Sequence, residues 1–107
     1  MKNKFGISDQ SFEIFLNTIS DCKDIDYAVI FGSRAIGNFK RGSDIDIAIY
    51  GEKLQRDTVI NLSAKLNEGT PIPYYIDVVD PRYLENQDLI DYINRVGIVF
   101  YKKMAIA

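Results

Sequence analysis

Three segments of the chain repeat apolar residues at helical spacing. Apolar positions three and four residues apart lie on one face of a helix, and the hydroxyl of Ser8 can cap the first of these segments. The pattern predicts helices after Ser8, over about residues 54–67 and after Pro81. The apolar positions are Phe12, Phe15, Leu16 and Ile19 in the first helix, Val59, Leu62 and Leu66 in the second, and Leu89, Ile90, Ile93 and Val96 in the third.

Shorter apolar runs between the helices predict strands. Residues 27–31 are almost wholly apolar, as is typical of a strand covered on both faces, and residues 74–79 and 98–101 predict two more strands. Residues 44–50 alternate instead, so that isoleucines share one face while Asp44 and Asp46 share the other. Helices alternating with strands predict an α+β (mixed α/β) domain in which helices flank a mixed sheet of three to four strands.

The composition narrows the available chemistry. We expect one domain spanning 1–107, since the 107 residues leave no room for two. The absence of histidine excludes catalysis by a histidine base and histidine-ligated zinc. Cys22 is the only cysteine, which excludes an internal disulfide and favours a reducing, cytoplasmic setting. Any metal must therefore have oxygen ligands, which suit hard cations such as Mg²⁺.

The charge balance and apolar pattern also restrict the partners. The chain has 13 basic and 15 acidic residues, without the basic excess of proteins that coat nucleic acid. No apolar run is long enough for a membrane span, and the N-terminal residues lack the apolar segment of a secretory signal. We therefore expect no membrane association and no stable nucleic-acid binding by the chain alone.

Asp44 and Asp46 are the first candidate functional residues. They lie one residue apart on the alternating strand, with roughly 7 Å between their α-carbons and both side chains on one face. Paired carboxylates of this kind can converge on two divalent ions that promote in-line attack on phosphorus. A solvated polar face on an edge strand explains the same alternation. We favour the metal site because aspartate is a poor strand former and its placement there needs a compensating role.

Gly32 and Ser33 directly follow the apolar strand at 27–31. Glycine lets the backbone approach a ligand closely, and the amides that follow it can point at phosphate oxygens. The basic residues Arg34, Lys40 and Arg41 can add charge-assisted contacts to a triphosphate. The alternative is a plain turn with solvated basic side chains.

Asp77 is a third candidate, because it is a single charge within an apolar strand. If its strand neighbours the strand of Asp44 and Asp46, Asp77 completes a cluster of three carboxylates and can accept the proton of an attacking hydroxyl. Asp80 lies three residues further on, and the alternation of strand side chains directs it away from Asp77. We expect Asp80 to cap the turn before Pro81.

These motifs together resemble a known family signature. Gly32-Ser33, ten intervening residues and Asp44-x-Asp46 are similar to the signature of the DNA polymerase β-like nucleotidyltransferase superfamily. The string GSRAIGNFKRGSDIDIAI resembles the minimal nucleotidyltransferases, or MNT-type antitoxins. The order of predicted elements resembles the family over nearly the whole chain, which implies a polymerase β-like nucleotidyltransferase core.

The resemblance also implies roles for individual residues. The family reaction is attack by an acceptor hydroxyl on the α-phosphate of a nucleoside triphosphate, by default ATP, with release of pyrophosphate. The implied catalytic and metal-binding residues, which would hold two Mg²⁺ ions, are Asp44, Asp46 and Asp77, with Asp77 also assisting deprotonation. The expected nucleotide-binding residues are Gly32 and Ser33 at the phosphates, together with Arg34, Gly42 and Ser43.

The resemblance finally implies a partner. Stand-alone cores in this family are often antitoxins paired with a HEPN-domain toxin ribonuclease, which they silence by adenylylating a tyrosine. We therefore expect a protein adenylyltransferase with a HEPN-family toxin as its substrate. Two alternatives remain open: transfer of a nucleotide to a small hydroxylated molecule such as an aminoglycoside, and a non-catalytic module that neutralises its partner by contact alone.

Overall fold

The computed structural model describes residues 3–104. Helices and strands alternate along the chain in the order α1 (Asp9–Ser20), β1 (Tyr27–Phe31), α2 (Ser33–Ile36), β2 (Ile45–Tyr50), α3 (Arg56–Glu68), β3 (Ile76–Val79), α4 (Gln87–Val96) and β4 (Ile98–Lys102). A short 3-10 turn, Pro81–Tyr83, links β3 to α4. The expected mixed sheet with flanking helices is confirmed.

The four strands form one sheet in the order β3-β2-β1-β4. Strand β1 is antiparallel to both β2 and β4, whereas β2 and β3 are parallel. Helix α3 makes the crossover that a parallel pair requires. This crossover places the two strands that contain Asp46 and Asp77 side by side.

The two faces of the sheet are covered by different helices. The isoleucines of β2 pack with α1 and α3 in the larger core, whose fully buried members include Phe15, Ile19, Ile45, Ile47, Ile49 and Leu66. A smaller cluster forms on the other face, where Val29, Phe31 and Ala48 contact Ile93 of α4. The alternation of β2 therefore places Asp46 on the face covered by α4. In the described residues, no helix is both long and apolar enough to cross a bilayer.

Several element boundaries differ from the sequence predictions. Strand β2 begins at Ile45, so Asp44 lies in the preceding loop. Strand β3 begins at Ile76, two residues after the predicted start at Tyr74. The last helix begins only at Gln87, where the side chain of Asn86 accepts a hydrogen bond from the amide of Leu89. The predicted cap at Ser8 is confirmed, since its hydroxyl accepts from the amide of Ser11.

Candidate active site

Asp46 and Asp77 face the same side of the sheet from adjacent strands. They are register partners in the parallel pair β2–β3, and side chains at paired positions project to one face. Asp46 is half-buried, whereas Asp77 is exposed on β3, which is an edge strand of the sheet. The structure thus meets the condition set by the sequence, that the strand of Asp77 neighbours the strand of Asp46.

The surroundings of Asp46 disfavour its negative charge. Burial, followed by the charges of Asp77 and Asp44, raises the pKa of Asp46 from an ordinary 3.8 to about 6. Phe31 pairs with Asp46 across β1 and β2, and its ring meets that of Tyr92 of α4 edge-on, with 6.5 Å between the centroids. Aromatic rings therefore lie beside a cluster of carboxylates of like charge, and a bound cation would stabilise this cluster.

The backbone of Gly32 leaves room for the Asp46 carboxylate. Gly32 ends β1 and precedes α2 with a φ of 75°, in the left-handed region that favours glycine. A β-carbon at this position would overlap with the Oδ2 atom of Asp46. Glycine is thus required here for its backbone conformation and for the space that it leaves at the candidate site.

The other residues predicted to bind nucleotide lie in α2 or in the loop between α2 and β2. Ser33 is the first residue of α2, where backbone amides have no acceptor within the helix. Gly42 is exposed, with a φ of 86°, in a turn in which the amide of Ser43 donates to the carbonyl of Lys40. The hydroxyl of Ser43 accepts from the amide of Lys40 and so also stabilises this turn.

Arg34 has an unexpected position, in the interior of the protein. Only 2% of its surface is exposed. Its guanidinium donates to the carbonyl oxygens of Ser43 and Phe5. Burial lowers the pKa of Arg34, and Tyr74 and Asp44 act in the opposite direction. A contact between Arg34 and a nucleotide stays a prediction, and this arrangement does not favour it, because the side chain is buried and three of its five N–H groups already donate to main-chain carbonyls.

Asp80 has the capping role expected for it. Its side chain is buried and accepts a hydrogen bond from the amide of Arg82 at the start of the 3-10 turn. The same carboxylate forms an ion pair with the Arg82 guanidinium, with 2.8 Å between Oδ2 and Nη2. Asp80 therefore has a structural role, whereas Asp77 is exposed beside Asp46.

The three carboxylates fit a hard cation in their chemistry. All are oxygen donors, the ligand type of Mg²⁺, and Gly32 leaves space at the most buried of them, Asp46. Across residues 3–104, no three or more histidine, cysteine, aspartate or glutamate side chains are gathered closely enough to hold a metal ion. The three carboxylates thus lie on neighbouring segments but do not form a complete coordination sphere.

Asn67 of α3 is a supporting residue that the sequence did not reveal. Its side-chain amide donates to the carbonyl of Ile76 and accepts from the amide of Ile76, both at 2.8 Å. It thereby extends the hydrogen bonding of the sheet beyond β3, at the residue next to Asp77. An asparagine near the end of a helix gives no sequence signal for this contact, because its partner lies on a strand.

Comparison with known proteins gives a family. Residues 15–105 match the family model described as "Polymerase beta, Nucleotidyltransferase". No curated protein sequence is significantly similar to the chain.

Several solved structures share the fold. A chain in a toxin–antitoxin structure with AMP-PNP is 24% identical to this chain, with a TM-score of 0.69. The aligned region covers 87% of this chain and 73% of the other chain. The toxin–antitoxin MntA-HepT is 19% identical, with a TM-score of 0.66 and coverages of 90% and 74%. A tri-AMPylated Shewanella oneidensis HEPN toxin in complex with MNT antitoxin is 20% identical, with a TM-score of 0.65 and coverages of 88% and 71%. At these identities the likeness shows the fold.

Proposed function

Because the chain belongs to the polymerase β nucleotidyltransferase family, we propose that it transfers AMP from ATP to an acceptor hydroxyl with the help of Mg²⁺. The observation that carries this proposal is the placement of Asp46 and Asp77 as register partners, with the Gly32 turn directly against Asp46. A polar end of a sheet that combines paired carboxylates with a glycine turn is suited to phosphoryl chemistry.

The proposed reaction is an in-line displacement at the α-phosphorus. The acceptor oxygen forms a bond to phosphorus, the bond from phosphorus to the β-phosphate oxygen breaks, and pyrophosphate leaves. Asp77 accepts the proton of the acceptor hydroxyl, a role that its exposure on an edge strand permits. Asp44, Asp46 and Asp77 would hold the Mg²⁺ ions, which supply positive charge to the phosphate oxygens when bound. Gly32 and Ser33 orient the phosphates through the turn.

We further propose that the acceptor is a tyrosine of a HEPN-family toxin and that the chain acts as an antitoxin. Two findings support this partner. Chains with this fold occur in the toxin–antitoxin structure MntA-HepT and in the complex of a tri-AMPylated HEPN toxin with an MNT antitoxin. A toxin–antitoxin structure of the same fold contains AMP-PNP, an analogue of ATP.

Intact-mass measurement of the proteins that co-purify with the tagged chain tests the proposal. After incubation with MgATP, we expect a partner to gain whole adenylyl units with the wild type and none with Asp46→Asn. Asp57→Asn is the matched control, because it makes the same chemical change at an exposed position in α3. A partner that binds, keeps its mass and is still neutralised by Asp46→Asn would contradict transfer and indicate neutralisation by contact.

A further inference from the structure

Arg34 connects three segments that lie far apart in the sequence. Its Nη1 donates to the carbonyl of Phe5 at 2.8 Å, and its Nε and Nη2 donate to the carbonyl of Ser43 at 3.0 and 2.7 Å. The guanidinium lies 4.3 Å from the ring centre of Tyr74 and 5.2 Å from that of Phe39. These hydrogen bonds and ring contacts hold one buried, planar group in a single orientation.

Two of these contacts involve residues just before Asp44 and just before β3. The Ser43 carbonyl belongs to the peptide that joins Ser43 to Asp44, so Arg34 fixes the backbone directly before this aspartate. Tyr74 lies two residues before β3, and the carbonyl of the intervening Tyr75 accepts from the amide of Ile45 at 2.8 Å. One side chain therefore restrains the segments leading to Asp44 and to the strand of Asp77.

Three of the five N–H groups of Arg34 donate to these carbonyls, and because the side chain is buried, a phosphate could reach the guanidinium only if it moved and gave these bonds up. The carbonyls of Phe5 and Ser43 would lose their donor, and an unpaired buried carbonyl is costly. The side chain is also covered by aromatic rings, whereas groups that capture phosphate present their donors to solvent.

We propose that Arg34 is a positioning residue, which sets the location of Asp44 relative to the other carboxylates by holding the Ser43–Asp44 peptide, and that it does not bind the nucleotide. The proposal rests on the function proposed above, since it assigns Asp44 to a metal site. Some residues orient a metal ligand without contacting the metal themselves. Their replacement typically lowers metal affinity about 10- to 100-fold.

The test compares Arg34→Lys with Arg82→Lys. Lysine keeps the charge but cannot donate a planar fork to one carbonyl while also reaching a second. Arg82 is the matched control because it too bonds to a loop carbonyl, that of Leu54 at 2.6 Å, and lies outside the candidate site. Three quantities are measured on each full-length protein: Mn²⁺ binding by electron paramagnetic resonance, exchange of the Ile45 amide by nuclear magnetic resonance, and transfer rates at varied Mg²⁺ and ATP.

For Arg34→Lys we expect Mn²⁺ affinity to fall about 10-fold or more, with an equal rise in the half-saturating Mg²⁺ concentration. The Ile45 amide should exchange faster, and the KM for ATP at saturating Mg²⁺ should stay unchanged. Arg82→Lys should leave all three as in the wild type. If Arg34→Lys does not fold, Tyr74→Leu removes one stacking face and should weaken Mn²⁺ binding in the same direction by less.

Two results would overturn the positioning role while leaving the proposed function intact. One is an unchanged Mn²⁺ affinity in both Arg34→Lys and Tyr74→Leu. The other is a raised KM for ATP with normal Mn²⁺ binding, which would indicate a direct phosphate contact. A wild-type protein that neither binds Mn²⁺ nor transfers AMP would remove the proposed function itself, and the role of Arg34 with it.

Discussion

Replacement of Asn67 by alanine tests whether the edge of the sheet beside the candidate site is held from α3. The side chain of Asn67 satisfies both backbone groups of Ile76, through bonds of 2.8 Å to its carbonyl and from its amide. A third bond, of 3.0 Å, joins the same amide nitrogen to the carbonyl of Ser63 one turn earlier in the helix. Alanine removes the two contacts that cross from helix to strand and leaves Ile76 without them.

The expected loss of folding stability follows from these hydrogen bonds. A hydrogen bond contributes about 1 kcal/mol net, and leaving a partly buried partner unsatisfied costs up to about 3 kcal/mol. Loss of the two bonds to Ile76 should therefore lower the free energy of unfolding by about 2–3 kcal/mol. Alanine favours helix over asparagine by up to about 0.7 kcal/mol, which offsets part of the loss.

Urea denaturation of Asn67→Ala and Asn61→Ala measures the effect. Asn61 is exposed on the same helix, so the comparison accounts for the gain in helix propensity, and the difference reports the contacts that Asn67 makes with Ile76 and with the Ser63 carbonyl. We expect Asn67→Ala to be about 2–3 kcal/mol less stable than Asn61→Ala. Stabilities within about 0.5 kcal/mol of each other, the usual range for surface substitutions, would contradict the role assigned to Asn67.

Three further predictions concern the carboxylates and the glycine turn. The pKa of Asp46 is raised to about 6 in the folded protein, so its charge opposes folding above that pH and the cost disappears as the pH falls below about 4. Without divalent cations, Asp46→Asn should therefore melt at a higher temperature than wild type at pH 7.5, and the difference should vanish near pH 4; equal melting temperatures at both pH values would contradict this. Gly32→Ala should lose transfer at least about 10-fold, a loss of roughly 1.4 kcal/mol in transition-state stabilisation, because its β-carbon overlaps with the Asp46 carboxylate. Gly37→Ala is its control, with a φ of 97° and open space around it, and a similar loss of transfer in both variants would argue for backbone strain alone. Asp77→Asn should lower kcat by about 10²- to 10⁴-fold, whereas Asp80→Asn should lower the melting temperature through the Arg82 ion pair and leave kcat near wild type. Equal effects on kcat would overturn the choice of Asp77.

The sequence predicted those features that depend on local pattern. Alternation over residues 44–50 correctly placed the isoleucines of β2 in the main core and Asp46 on the opposite face. The period of two also separated Asp77 from Asp80, and the structure pairs Asp77 with Asp46 while Asp80 caps a turn. Side-chain alternation is a property of the strand itself, so a single sequence is enough to reveal it.

Features that depend on contacts between distant segments could not be predicted. The basic residues after Gly32 suggested solvent or phosphate as partners, yet Arg34 lies in the core because carbonyls of Phe5 and Ser43 accept its donors. The role of Asn67 depends on the parallel placement of β3 beside β2, which no local pattern specifies. Asp44 lies outside the strand, in a loop whose Ser43 carbonyl accepts from Arg34, a contact that spacing alone does not reveal.

The activity proposed for this chain is transfer of the AMP part of ATP. Parallel reactions of the wild type and its co-purified partner with ATP labelled at the α-phosphate or at the γ-phosphate test it most directly. If the chain transfers AMP, the α label becomes covalently attached to protein, the γ label is released in pyrophosphate, and chelation of divalent cations or Asp46→Asn abolishes attachment. Attachment of the γ label instead, or undiminished attachment of the α label by Asp46→Asn, would contradict it.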